Sequence, residues 1–158
     1  MRIGFGYDVH AFATNRELWL GGILVPSEQG LLGHSDADVL IHALCDALLG
    51  AAAMRDIGYH FPPVKGNEFE NIDSKILLRK VMLMIREAGY ELGNCDCTVC
   101  AEAPKLNPHI PAMVACLAEV MGVSEGQISI KATTTEKLGF VGRKEGIAAQ
   151  AVVLLTKQ

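Results

Sequence analysis

The sequence has no excess of positive charge: 14 Lys+Arg stand against 18 Asp+Glu, a formal net charge of -4. Without a basic field the chain has little with which to wrap a phosphate backbone, so nucleic acid is not an expected partner. Long apolar runs are missing too. The longest, 39–54, is interrupted by His42 and Asp46 and is too short to span a bilayer, so no membrane association is expected. Cysteines number five, an odd count, and Cys95, Cys97 and Cys100 crowd together in a way unlike a secreted disulfide framework. A reducing, cytoplasmic setting is expected, and the strand-like pattern from the first residues leaves no stretch that reads as a targeting peptide. No Pro/Gly/Ser-rich linker, internal repeat or low-complexity tract divides the chain, so residues 1–158 read as a single domain.

What is present is apolar material: 50% of the 158 residues are hydrophobic, enough for a domain that buries roughly 70% of its unfolded surface. Residues 2–10 alternate, with Ile3, Phe5, Tyr7 and Val9 on one side and Gly4, Gly6, Asp8 and His10 on the other, which predicts a half-buried strand with a polar end. Gly21-Gly22 sits between two short apolar runs in 18–26 and predicts a hairpin or tight turn. Loop is expected at 30–34. Ser35 or Asp36 can cap a buried helix running to about residue 53. The stretch 56–73 reads as a long loop, the expected lid. A second helix starts at Asp73 or Ser74 and ends at Gly89. Strands at about 91–101, 127–133 and 147–155, with a helix at 111–121, complete an α+β pattern: a mixed β-sheet packed against helices.

Asp8 and His10 lie at i and i+2 of the first strand, so both side chains leave one face, roughly 6.7 Å apart along it. His42 shares a helical stripe with Asp38 and Asp46 at four-residue spacing. One Asp and two His with an open fourth position suit a catalytic zinc ion, with Asp38 or Asp46 orienting His42 from behind. The alternative is a strand-end hydrogen bond at Asp8 and His10 beside a satisfied core histidine at His42. Hydroxyls and backbone N–H groups of Thr133, Thr134 and Thr135, at a strand end, suit phosphate oxygens, or form an ordinary threonine-rich turn. His34 and Ser35, placed at a helix N-terminus, suit an anion. Lys105 and Leu106, on a proline-bounded connector, offer free backbone groups to a base edge.

Two other patterns carry nothing. In a strand Cys95 and Cys97 share a face while Cys100 points away, so one metal ion does not readily collect all three, and small buried side chains are the better reading. Gly4-Phe5-Gly6 lacks the third glycine and following helix of a dinucleotide site, and 139–146 contains no Gly-Lys-Ser/Thr.

Gly33-His34-Ser35-Asp36-Ala37-Asp38, continuing through His42 to Ala51, resembles the signature of the 2-C-methyl-D-erythritol 2,4-cyclodiphosphate synthase family. So do Gly6-Tyr7-Asp8-Val9-His10, Asp56-Ile57-Gly58, Ala103-Pro104-Lys105, Pro108-His109-Ile110-Pro111 and Lys131-Ala132-Thr133-Thr134-Thr135-Glu136-Lys137-Leu138-Gly139-Phe140, in order along essentially the whole chain. The resemblance implies an isoprenoid-pathway lyase that cyclises 4-diphosphocytidyl-2-C-methyl-D-erythritol 2-phosphate and releases CMP. It implies zinc, or another divalent transition metal, on Asp8, His10 and His42, and magnesium or manganese on Glu136. His34 and Thr134 are implied to steady the reacting phosphates, with Ser35, Thr133 and Thr135 as further contacts. Asp56, Ile57, Gly58 and Phe61 would line the methylerythritol pocket, and Ala101, Ala103, Pro104, Lys105 and Leu106 the cytidine pocket.

The family is a homotrimer with active sites between subunits, and Phe140 and Arg143 match positions at a central cavity that can hold an isoprenoid diphosphate; an arginine merely closing the trimer axis is the alternative. One departure stands out: Pro63-Val64-Lys65 replaces an acidic, hydroxyl-bearing run. Two rival functions use the same ligands, a zinc-dependent hydrolase of a nucleotide diphosphate and a trimeric metal-binding module without turnover.

Overall fold

A computed structural model describes residues 1–62, 66 and 72–158. The chain forms β1 (Arg2–Ala13), β2 (Leu18–Leu20), β3 (Ile23–Val25), β4 (Gly30–Leu31), α1 (Val39–Ala51), α2 (Ile57–His60), α3 (Ser74–Glu87), β5 (Tyr90–Cys100), α4 (Ile110–Met121), β6 (Ile128–Thr133), α5 (Gly139–Gly142) and β7 (Gly146–Lys157). Five strands form one sheet in the order β4-β1-β7-β5-β6, and β2 pairs with β3 as a hairpin. β5 and β6 are parallel and the other pairs antiparallel, so the sheet is mixed, as expected. The parallel pair requires a crossover, and α4 supplies it.

The face of β1 buried within the chain is the glycine face, and the apolar residues lie on the other. Ile3 and Phe5 are 74% and 62% exposed, and Tyr7, Val9 and the neighbouring Val152 of β7 are exposed as well. Gly4 and Gly6 lie under α1, where a Cβ on either would stand 1.9 Å from a helix carbonyl oxygen, that of Ala47 or Ala43. Alanines 43, 47 and 51, four apart, keep that helix face low enough for backbone to rest on backbone. The same face of β1 continues into Asp8 and His10. Strand and helix therefore converge where His42 enters.

α1 is capped by Asp38, later than the expected cap at Ser35 or Asp36, and ends at Ala51. The Asp38 carboxylate accepts from the N–H of Ile41 (3.1 Å), Gly21 (3.0 Å) and Gly22 (2.7 Å), so one cap also holds the β2–β3 turn. Gly21 and Gly22 both have positive φ, which a tight two-residue hairpin turn needs. Burial raises the Asp38 pKa, and the three amide hydrogen bonds oppose it. Ser35 and Asp36 instead turn the preceding chain, accepting from Ala37 N–H and Asp38 N–H.

Within the stretch expected to be loop, α2 is capped by Asp56, which accepts from Tyr59 N–H at 2.8 Å. Residues 63–65 and 67–71, the middle of the expected lid at 56–73 and the site of the Pro63-Val64-Lys65 departure, lie outside the described residues. α3 starts at its Asp73 cap and is followed by Gly89 at φ +79°, close to expectation. Residues 30–31, expected as loop, form a short strand because Leu31 and Gly30 pair with Phe12 and Ala13. Cys95 and Cys97 are buried on one face of β5, Cys100 points the other way, and all five cysteines are free. Among the described residues, no helix is long and apolar enough to cross a membrane.

Candidate metal centre and flanking cavities

Asp8, His10 and His42, 34 residues apart at the extremes, meet at one point. Asp8 Oδ2 lies 3.0 Å from His10 Nε2 and 3.1 Å from His42 Nδ1, and the two ring nitrogens are 3.2 Å apart. The triangle is nearly equilateral. A tetrahedral zinc ion with bonds of about 2.0–2.1 Å separates its ligands by about 3.3 Å, so the donor set and its spacing fit that ion. The outer nitrogen of each ring is engaged elsewhere. His10 Nδ1 donates to the Leu32 carbonyl (2.7 Å), and His42 Nε2 faces Ser74 Oγ (3.0 Å) and Ser35 Oγ (3.3 Å). Three lone pairs then converge where a cation would sit.

Electrostatics agree. Burial works against the Asp8 carboxylate, but the adjoining His10 and His42 imidazoles outweigh it and hold its pKa at about 2. Burial likewise opposes charge on His10, yet Asp8, the Leu32 carbonyl and Asp38 together raise its pKa. The site is built to keep positive charge, as a proton on His10 or as a metal ion.

The orienting role expected of Asp38 or Asp46 is not observed. Asp38 is committed to three backbone amides, and Asp46 accepts from Ile57 N–H at 2.9 Å, tying α2 to α1. Burial raises the Asp46 pKa against that amide. Behind His42 stand Ser74 and, beyond it, Asp36, neither of which the helical stripe could have revealed.

A cavity of about 180 Å³ opens beside the triangle, lined by His10, His34, Ser35, His42, Ile57, Gly58, Phe61, Ile72 and Leu77. His34 and Ser35 precede the first turn of α1 by several residues, so the anion argument from a helix N-terminus does not apply to them. Asp56 stays outside this lining as the cap of α2.

A second cavity, of about 370 Å³, is lined by Ala101, Pro104, Lys105, Leu106, Thr133 and Thr134, with Glu102, Asn107, Pro108 and Ala132. Ala103 is half-buried beside it in sequence. Glu102, which sequence reasoning passed over, organises the adjoining turn. Its Oε1 accepts from Thr135 N–H (3.1 Å) and Lys137 N–H (3.2 Å), while Thr134 Oγ1 accepts from Glu136 N–H (3.3 Å). Glu136 is held exposed at φ +52°.

The two cavities share no lining residue. Pairing runs from His10 to Ile147, from Ala148 to Cys100 and from Cys100 to Thr133. Burial alternation puts His10 on the α1 face and Thr133 on the opposite one. Phe140 and Arg143 lie at α5, where Arg143 pairs with Glu145 at 2.9 Å.

A model of the YgbB family matches residues 1–156. The 2-C-methyl-D-erythritol 2,4-cyclodiphosphate synthase of Parabacteroides distasonis is 71% identical over 157 residues, covering 99% of this chain and 97% of that one. The bifunctional IspDF from Campylobacter jejuni superposes with a TM-score of 0.95 at 45% identity; 99% of this chain corresponds to 42% of that longer one. IspF of Plasmodium falciparum, in a CDP complex, superposes with a TM-score of 0.88 at 36% identity, covering 99% of this chain and 96% of that one.

Proposed function

The chain belongs to the YgbB family of 2-C-methyl-D-erythritol 2,4-cyclodiphosphate synthases, and from that premise we propose how its own residues carry the reaction. It is a CMP-releasing lyase of non-mevalonate isoprenoid biosynthesis, closing 4-diphosphocytidyl-2-C-methyl-D-erythritol 2-phosphate to the 2,4-cyclodiphosphate. A 2-phosphate oxygen attacks the β-phosphorus, the bond from that phosphorus to the oxygen bridging it to the α-phosphorus breaks, and CMP leaves with the electron pair. No protein nucleophile is needed. The observation that carries the assignment of roles is the Asp8–His10–His42 triangle opening into its cavity.

When bound, zinc or another divalent transition metal on Asp8, His10 and His42, and magnesium or manganese on Glu136, would polarise phosphate oxygens and offset leaving-group charge. The remaining work is positioning. Ile57, Gly58 and Phe61, with Asp56 at the rim, hold the methylerythritol arm folded back on the diphosphate, which converts chain freedom into a near-attack geometry. His34 and Thr134 steady the phosphate charge, with Ser35, Thr133 and Thr135 beside them. Ala101, Ala103, Pro104, Lys105 and Leu106 take the cytidine.

His10 of the metal cavity and Thr133 of the cytidine cavity lie on opposite faces of one sheet, and the two cavities share no lining residue, which favours an active site assembled from two subunits. The exposed apolar strip of Ile3, Phe5, Tyr7, Val9 and Val152 favours the same reading, since patches of this kind mark interfaces. We assign that strip to a homotrimer, with Phe140 and Arg143 toward its axis, where an isoprenoid diphosphate is the ligand proposed. Phe5→Glu is expected to convert trimer to monomer in sedimentation, because each copy forfeits about 1.5–3 kcal/mol of apolar burial and gains a buried charge. Turnover should be lost while one zinc per chain remains. A trimeric, active variant would refute the assignment.

Glu136→Ala is expected to leave zinc bound and abolish the dependence of rate on magnesium; an unchanged magnesium titration would exclude Glu136 as a ligand. The reaction itself is tested by phosphorus NMR of the protein with substrate, zinc and magnesium. CMP appearing with a cyclic diphosphate supports the reading, whereas a linear diphosphate would identify a hydrolase.

A further inference from the structure

We propose that Asp36 and Ser74 form a relay that fixes the tautomer and orientation of His42, making both of them positioning residues for the metal centre. The inference rests on the assignment of Asp8, His10 and His42 as metal ligands.

Ser74 is fully buried at the first position of α3, and its Oγ hydrogen-bonds Asp36 Oδ1. A carboxylate only accepts, so the single hydroxyl proton of Ser74 goes to Asp36. The Ser74 oxygen then has only lone pairs to offer His42 Nε2, 3.0 Å away. Nε2 must therefore carry the imidazole proton, which leaves Nδ1 as a lone pair aimed at Asp8 Oδ2 and His10 Nε2. Ser35 Oγ is a lesser partner, farther from Nε2 at 3.3 Å and already accepting from Ala37 N–H.

Asp36 is itself held. Its Oδ2 accepts from Ser74 N–H at 2.9 Å, and its Oδ1 accepts from Asp38 N–H at 3.1 Å. Three backbone and side-chain donors thus converge on one carboxylate between the segment before α1 and the start of α3. The arrangement parallels His10, whose outer nitrogen is fixed by the Leu32 carbonyl. One ligand histidine is oriented by the backbone and the other by a carboxylate acting through a hydroxyl. Such partners of metal-bound histidines typically change metal affinity by about 10- to 100-fold when removed.

The first test needs no variant. In metal-free wild-type protein at about pH 8.5, above the usual imidazole range, long-range nitrogen-15 NMR should show His42 with a protonated Nε2 and a bare Nδ1. A protonated Nδ1 would overturn the relay. Zinc dissociation constants from chelator competition supply the second test. Ser74→Ala should weaken zinc by about 10- to 100-fold, and Asp36→Asn should do so less. In the Ser74→Ala background, Asp36→Asn should have no further effect, because Asp36 acts only through the hydroxyl. Additive losses would show that Asp36 merely supports the loop, and unchanged affinity in Ser74→Ala would remove Ser74 from the site. His42→Ala separates the two levels. If it retains wild-type zinc affinity, the metal assignment has failed; if it loses zinc while Ser74→Ala does not, only the relay has failed.

Discussion

His42→Ala is expected to lose bound zinc and to lower kcat/KM by about three orders of magnitude or more, since Lewis-acid stabilisation of phosphoryl oxygens is worth several kcal/mol at about 1.4 kcal/mol per tenfold. The fold should survive. His42 is one corner of a polar triangle rather than part of the apolar core, and its removal leaves Asp8 and His10 paired at 3.0 Å and Ser74 bound to Asp36. Zinc content by plasma emission, thermal unfolding and CMP release, measured on one preparation, check the three parts together. Full activity in a zinc-free variant would refute the assignment of these ligands. Equal losses of zinc, activity and folded structure would instead make His42 a structural residue.

How far this site is legible in the sequence depends on the distance over which each interaction acts. Asp8 and His10 are neighbours on one strand face, and a period of two places them together without further information. The cap at Asp73 and the glycine at position 89 are equally local, and α3 matches its expected span. The start of α1 is not local. Ser35, Asp36 and Asp38 are all competent caps, and Asp38 prevails because the Gly21 and Gly22 amides also converge on its carboxylate. Those contacts cross 17 and 16 residues of sequence and have no signature in the helical pattern. Ser74 stands 32 residues from His42 and 38 from Asp36, so the group behind His42 becomes visible only when α3 is docked. Which side of β1 faces inward is not legible in the alternation for a related reason. Alternation identifies two faces, but the buried one within a single chain is chosen by how closely α1 can approach, and the apolar face is left for another surface.

Gly6→Ala tests that approach and should be strongly damaging to the strand–helix layer. The new Cβ would stand 1.9 Å from Ala43 O, 2.8 Å from Ala47 N and 2.9 Å from Ala43 C, all of them backbone atoms that no rotamer change can move. Relief requires α1 to retreat from β1 by about 1 Å or more, which disrupts packing along the whole Ala43–Ala47–Ala51 stripe. Overpacking of a tight core costs about 1–3 kcal/mol and more where backbone must shift, so a loss of about 3 kcal/mol or more is expected, near 10 °C in Tm for a chain of this size. The displacement also acts on chemistry. His42 rides on α1 next to Ala43, whereas Asp8 and His10 ride on β1, so a helix moved by about 1 Å opens a ligand triangle whose tetrahedral fit tolerates only about 0.2 Å. Any folded fraction should therefore bind zinc more weakly than wild type. Urea unfolding with zinc titration of the folded protein reads both effects. A variant with wild-type stability and zinc affinity would show that the contact between β1 and α1 is not what brings the three ligands together.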